Sequence, residues 1–337
     1  MSGPKKIAVS FFQRKTVGGH YSLEFIFADV RERLQTQVKA QVITSGYEST
    51  GFFKRLYNLA EAAGRQSQVN HVTGDVNYLG LSLSRKKTVQ TILDCVQLET
   101  SSGLKQQILK LFWVTLPVKR ARFVTAISTS TKNEILKYVN CDPAKIVVIP
   151  VAISQRFQRK DKPFNQSQPC ILQLGSAPNK NIPRLIEALR GLACRLEIVG
   201  APAPEYEELL KQSGLSYRYS SGLSAAEVLR KYEEADIITL VSTYEGFGMP
   251  ILEAQAVGRP VITGNLYSMP EVAGDAACIV DPFDVAAIRA GFCKIIDDAA
   301  YRNQLINKGF ENVKRYDPDL IAGQYLALYQ EIAGAGN

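Results

Sequence analysis

Two successive rounds of strand-like and helix-like segments constrain this chain more than anything else in its sequence. The first round opens with the apolar run 7–12, passes Gly18-Gly19, and continues in a helical pattern over 22–34. Short strand-like runs follow at 42–44, 69–72, 89–93 and 122–126. Between them lie stretches such as 53–63 and 131–139, with apolar residues three and four apart. This alternation predicts a parallel sheet covered on both faces. A polar stretch, 155–168, rich in Lys, Arg, Gln and Asn, reads as a linker. The alternation then restarts, with strands at 170–174, 196–199, 217–219, 237–241 and 260–262 and helices at 182–189, 206–211, 225–232 and 250–256. A final amphipathic pattern runs over 318–332. The expectation is therefore two Rossmann-like, doubly wound α/β domains at 1–154 and 169–317, with 318–337 packing back on the first. Ligands in such folds bind beyond the carboxyl ends of the strands, so a nucleotide-type ligand in a cleft between facing domains is the expectation. Fold alone fixes no chemistry.

The chain has 337 residues, enough for two cores, and a composition of 46% hydrophobic and 21% charged residues that fits a globular protein. Its six cysteines (Cys95, Cys141, Cys170, Cys194, Cys278 and Cys293) form no CxxC pair, and the only histidines are His20 and His71. A disulfide framework or a zinc site is thus not expected, and reduced thiols in the cytoplasm are. Two lysines before the first apolar run suggest a secretion signal, but the run stops at Gln13-Arg14-Lys15. No stretch approaches the roughly 20 apolar residues of a membrane span. Residues 1–150 carry 21 Lys and Arg against 10 Asp and Glu, whereas 151–337 carry 19 against 22. The two halves should therefore meet different partners. No nucleic-acid partner is expected.

The densest chemistry lies in Ser242-Thr243-Tyr244-Glu245-Gly246-Phe247-Gly248-Met249-Pro250-Ile251-Leu252-Glu253-Ala254, which follows an apolar strand and opens a helix. Two glycines flank Phe247 and let the backbone bend close to a ligand. Pro250 suits a first helical turn. Glu245 in the loop and Glu253 about one turn into the helix can accept hydrogen bonds from one polyhydroxylated ligand at two depths. The plainer reading makes Glu245 a helix-entrance charge and Glu253 an exposed helical one.

This run resembles the EGFGxPxxEA signature of retaining glycosyltransferase family 4 (glycosyltransferase group 1). The resemblance extends to Tyr232-Glu233-Glu234-Ala235-Asp236 upstream and to Ser268-Met269-Pro270-Glu271-Val272-Ala273-Gly274-Asp275-Ala276-Ala277 with Asp281-Pro282 downstream. It is strong over 170–315 and looser before that. It implies the GT-B fold, Glu245 on the transferred sugar, and Glu253 on the nucleotide ribose. Tyr244, Gly246, Phe247, Gly248, Met249 and Pro250 would line the same donor site.

A second element is the loop Leu174-Gly175-Ser176-Ala177-Pro178-Asn179-Lys180-Asn181. Near a helix N-terminus, Lys180 is a candidate clamp for a diphosphate; otherwise it is a solvated loop lysine. Relatives commonly carry Arg where Ser176 stands. In the first half, Gly18-Gly19 resembles the family's glycine-rich loop near the donor phosphates. His71 and Asp75 flank a strand end and are read as cleft-lining. Asp94 closes another strand after Leu93, where many relatives have a His-Asp pair. If that histidine positions sugar or acceptor, His71 or Asp94 must compensate; a structural role fits each equally well.

The resemblance implies a metal-independent transferase with no cofactor beyond its UDP- or GDP-sugar donor, retaining configuration by same-face attack. The one DxD, Asp317-Pro318-Asp319, is read as a helix cap, and Asp297-Asp298 as part of a surface helix. Other readings are a sugar-nucleotide epimerase or phosphorylase, which the length and signature disfavour, and a non-catalytic nucleotide-sugar-binding or glycan-binding subunit. The acceptor is expected to be a glycan or a lipid-linked molecule. Basic and aromatic residues mix at Phe52-Phe53-Lys54-Arg55-Leu56-Tyr57 and along 104–120, which suits either an anionic membrane surface or ordinary helices covering the sheet. The protein is accordingly expected in the cytoplasm, at the inner membrane face if the first of these holds.

Overall fold

The computed structural model describes residues 6–15, 22–99 and 101–335. The chain divides into two compact units, one of Met1–Ala152 with Pro318–Asn337, the other of Ile153–Asp317. Unit 1 contains strands β1 (Ile7–Gln13), β2 (Val38–Thr44), β3 (Val69–Val72), β4 (Thr88–Ile92), β5 (Phe123–Ala126) and β6 (Ile146–Val148). They form one sheet in the order β2-β1-β3-β4-β5-β6, every pairing parallel. Unit 2 contains β7 (Cys170–Leu174), β8 (Arg195–Val199), β9 (Ser216–Ser220), β10 (Ile237–Leu240), β11 (Val261–Gly264) and β12 (Cys278–Val280). Its sheet is also wholly parallel, in the order β12-β11-β10-β7-β8-β9. Both are doubly wound Rossmann-like sheets, as the alternation predicts.

Burial on both faces explains why the strands read as unbroken apolar runs. Phe11 and Phe12 are adjacent in β1, and both are fully buried. Successive side chains leave a strand on opposite faces, so Phe11 joins a core with Phe27, Ile321, Tyr325 and Tyr329, while Phe12 joins another with Ile43, Val72 and Leu79. The first of these cores is completed by the helix Pro318–Gly334, which packs against the helix Ser22–Arg33 and against β1. In unit 2 the helix Ile182–Leu189 buries Ile182, Leu185, Ile186 and Leu189, a spacing of three and four that turns one stripe onto β7 and β8.

Several elements lie outside the sequence reading: β6, β12 and the helices Val285–Asp297 and Ala299–Asn312. Asp297 ends the first of those helices. Asp298 is not within a surface helix but caps the second, accepting from Tyr301 N at 2.9 Å. Stretch 155–168 has no regular structure, yet its end is anchored by Asp236. That buried carboxylate takes an ion pair from Lys162 and accepts from Asn165 N at 3.1 Å and Cys170 N at 2.8 Å. Asp319 forms a 2.6 Å ion pair with Arg33 at the start of its helix. Among the described residues, no helix is long and apolar enough to cross a membrane.

Candidate active site

In unit 2 the strand order reverses between β7 and β10, and ligands of such sheets sit beyond the carboxyl ends at that point. The loops that leave β7 and β10 are the two elements singled out in the sequence. Gly175 has φ +84°, and a Cβ there would come within 3.0 Å of Lys180 Cε, so glycine lets the lysine stem fold across the backbone. The turn Pro178–Lys180 ends at Asn181, itself left-handed at φ 59°. Its buried amide donates to Val241 O at 3.0 Å and Pro282 O at 2.6 Å, fixing the loop to its neighbours. Asn179 completes the attachment: its side chain donates to Tyr244 O at 3.0 Å and its carbonyl accepts from Thr243 N at 2.8 Å.

The consequence is a direct ion pair, Lys180 Nζ to Glu245 Oε1 at 2.5 Å, with side-chain exposures of only 17% and 13%. Gly248, left-handed at φ 102°, sets the sharp entry to the helix Met249–Val257, whose N-terminus brings partial positive charge to the same place. Gly246, Met249 and Pro250 are each partly exposed at this turn. The expectation for Phe247 needs correction. Its side chain is 6% exposed and packs on Tyr316, ring centroids 5.9 Å apart, so it anchors the loop instead of facing a ligand. Ser268, which the sequence reading did not single out, donates to Glu245 O at 2.9 Å and Phe247 O at 2.8 Å, shaping the loop from the other side.

Glu253 is held by a short hydrogen bond from the fully buried Tyr232 hydroxyl. Burial pushes its carboxyl up, with that bond opposing. A raised acid favours the protonated folded state, so its contribution to stability is present below pH 4.5 and lost as pH rises through the raised value. Glu253→Gln, which keeps an acceptor for Tyr232, should therefore melt higher than the parent at neutral pH, with the difference vanishing near pH 4. Melting curves at both pH values check this.

In unit 1, Gly18 and Gly19 lie outside the described residues. Asp75 follows β3 and pairs with Arg14 at 2.7 Å; Arg14 also holds Glu24 at 3.1 Å. Asp94 follows β4 and accepts from Val96 N at 3.1 Å. Burial pushes both carboxyls up, and both line a small pocket of about 40 Å³ with Asn77 and Trp113. Trp113 donates to Asp75 O at 3.2 Å. His71 does not join them. It is fully buried in β3, its ring nitrogens 2.7 Å from the Tyr329 hydroxyl and 2.7 Å from Thr91 Oγ1. Burial, with Arg31 nearby, lowers its pKa to about 3. With both nitrogens engaged and no exposed atom, it is a core residue, which corrects its candidacy as a catalytic group.

Residues 154–312 match the family model of the glycosyl transferases group 1. The match covers just under half of the chain, all of it within unit 2. The family match takes in the Lys180 loop, Glu245 and Glu253. Among curated proteins, it is 29% identical over 231 residues to the O-antigen chain mannosyltransferase B of Escherichia coli, covering 62% of this chain and 61% of that one. The match thus spans about three-fifths of that relative's length. Among solved structures, the sucrose-phosphate synthase of Thermosynechococcus elongatus superposes with a TM-score of 0.79 at 16% identity, over 98% of this chain and 100% of that one. HepE of Anabaena, solved in complex with UDP and glucose, superposes with a TM-score of 0.74 at 14% identity, over 96% and 100%. The fold is GT-B, with its two Rossmann-like units.

Some residues at this site escape a reading by local chemistry alone. Asn179, Asn181 and Ser268 work through backbone partners 21 to 101 positions away, which no local pattern reveals. Ser176 donates to Ala201 O at 2.6 Å and supplies no charge. Among the described residues no group of three or more His, Cys, Asp or Glu is placed to hold a metal ion.

Proposed function

We propose that the chain is a retaining glycosyltransferase of the family 4 type. It would move a hexose from a UDP- or GDP-sugar to a hydroxyl of a glycan or lipid-linked acceptor. The observation that carries this reading is the Lys180–Glu245 pair at the reversal point of the second sheet. A cation suited to a departing diphosphate there touches a carboxylate suited to sugar hydroxyls. The glucose and UDP bound to HepE, and the mannosyl transfer in the name of the Escherichia coli relative, support the same chemistry. In the step, the acceptor oxygen bonds to the anomeric carbon as the bond to the diphosphate oxygen breaks. The acceptor proton passes to a phosphate oxygen of the leaving nucleoside diphosphate. Lys180 and the helix N-terminus meet the growing phosphate charge, and Glu245 orients the sugar.

No metal is required on this reading, so donor turnover should persist in EDTA. Complete loss on chelation, restored by manganese, would overturn that part. A second reading, a non-catalytic nucleotide-sugar-binding subunit, draws on the uncharged Ser176. Slow hydrolysis of UDP-glucose or GDP-mannose by the purified chain, followed by release of the diphosphate, separates the two.

A lipid-linked acceptor is favoured by the surface of unit 1. Phe52, Phe53 and Leu56 on one helix, and Leu104, Ile108, Leu111 and Phe112 along 103–115, are exposed, Phe53 to 82%. Arg55 stacks on Trp113 at 4.7 Å and joins the two segments. Between Glu99 and Glu134 there are six Lys and Arg and no acidic residue. Such a surface suits the headgroup level of an anionic bilayer at the cytoplasmic face. The protein should sediment with phosphatidylglycerol-containing vesicles at low salt, and Phe52→Ser with Phe53→Ser should abolish this. Absence of sedimentation would favour a soluble glycan acceptor.

A further inference from the structure

Tyr267 adopts a backbone conformation that its side chain opposes. Its φ of 53° is left-handed, a region that glycine and asparagine enter readily and a bulky aromatic residue rarely does. The turn it occupies, between β11 and the helix Met269–Ala273, would form more easily with glycine. The ring is thus kept for what it contacts, and residues strained in this way gather at ligand sites. It packs edge-on against Tyr244, centroids 4.5 Å apart and planes at 60°, and remains 38% exposed. Tyr244 precedes Glu245, and Ser268, next to Tyr267, holds the Glu245 carbonyl at 2.9 Å. The two tyrosines lie in the loops beyond the carboxyl ends of the paired strands β10 and β11, and the loop of Tyr244 carries Glu245, the partner of Lys180.

We infer that Tyr267, propped by Tyr244, is a platform for the apolar face of the donor's hexose and a determinant of which sugar is accepted. The inference rests on the donor reading above and deepens it. A hexose presents C–H bonds on one face and hydroxyls around its edge. An aromatic ring covers the first, while the neighbouring Glu245 accepts from the second. The nucleobase is the less suited occupant, because the ribose position assigned to Glu253 lies eight residues further along, within the helix.

Titration calorimetry on the full chain tests this, using UDP, UDP-glucose, GDP and GDP-mannose. Tyr267→Gly removes the ring and relieves the backbone, whereas Tyr267→Phe keeps the ring. Tyr267→Gly should weaken the bound nucleotide sugar about five- to tenfold, leave its nucleoside diphosphate within about twofold, and not lower the melting temperature. Tyr267→Phe should bind both as the parent does. Equal weakening of diphosphate and nucleotide sugar by Tyr267→Gly would move the ring to the base and overturn the proposal. Unchanged binding of both would reduce it to a turn residue. If the parent chain binds none of the four ligands, the donor reading itself fails, a result distinct from either.

Discussion

Replacing Lys180 with alanine should lower transfer by about a hundred- to a thousandfold, the loss seen when a preorganised donor to developing negative charge is removed. It should also destabilise unit 2. Glu245 is 13% exposed and has Lys180 as its cation at 2.5 Å, so the single substitution leaves a largely buried carboxylate unpaired. That costs on the order of 1–3 kcal/mol. Replacing both residues, Lys180→Met with Glu245→Gln, should restore most of the stability and none of the activity. Denaturant melts and turnover on the parent and these two variants make the comparison. Activity recovered by the double variant would mean that the pair serves the loop's shape alone.

His71→Gln should behave in the opposite way, changing acid stability and sparing turnover. The folded pKa of about 3 lies below the ordinary 6.5 because the ring is buried. A depressed base contributes stability that is fully present above pH 6.5 and lost as pH falls towards 3. Between pH 7 and pH 5 the parent should lose about 2 kcal/mol that the variant, having nothing to protonate there, does not lose. The only tryptophan, Trp113, lies in the same unit and reports its unfolding by fluorescence. A parent and variant with parallel pH profiles would show that the ring is protonated without cost. A variant that folds but has no turnover would return His71 to the chemistry.

These cases mark where the sequence is legible. Both sheets are visible because parallel strands buried on two faces carry a signal at every position, as in Cys170-Ile171-Leu172-Gln173-Leu174. The loop into the helix Met249–Val257 is visible because Gly248 and Pro250 have meanings set by the backbone they must adopt. β12 is only three residues long, with Ile279 exposed, and so lacks a pattern. The role of His71 was hidden because its partner Tyr329 stands 258 positions away. Phe247 was misassigned because a motif identifies a loop without saying which way each side chain leaves it.

The helix Pro318–Gly334 has a consequence for how the chain is made. It supplies Ile321, Tyr325, Leu328, Tyr329 and Ile332 to a core whose other members, such as Phe11 and Phe27, emerge from the ribosome first. Unit 2 is one uninterrupted stretch, so its sheet can close as soon as that stretch is free. Unit 1 begins first and finishes last, with Phe11, Phe27 and His71 uncovered until residues 318–334 arrive. A ribosome stalled with residue 317 just clear of the exit tunnel should present a protease-resistant unit 2 attached to an N-terminal portion still open to cleavage and to chaperones.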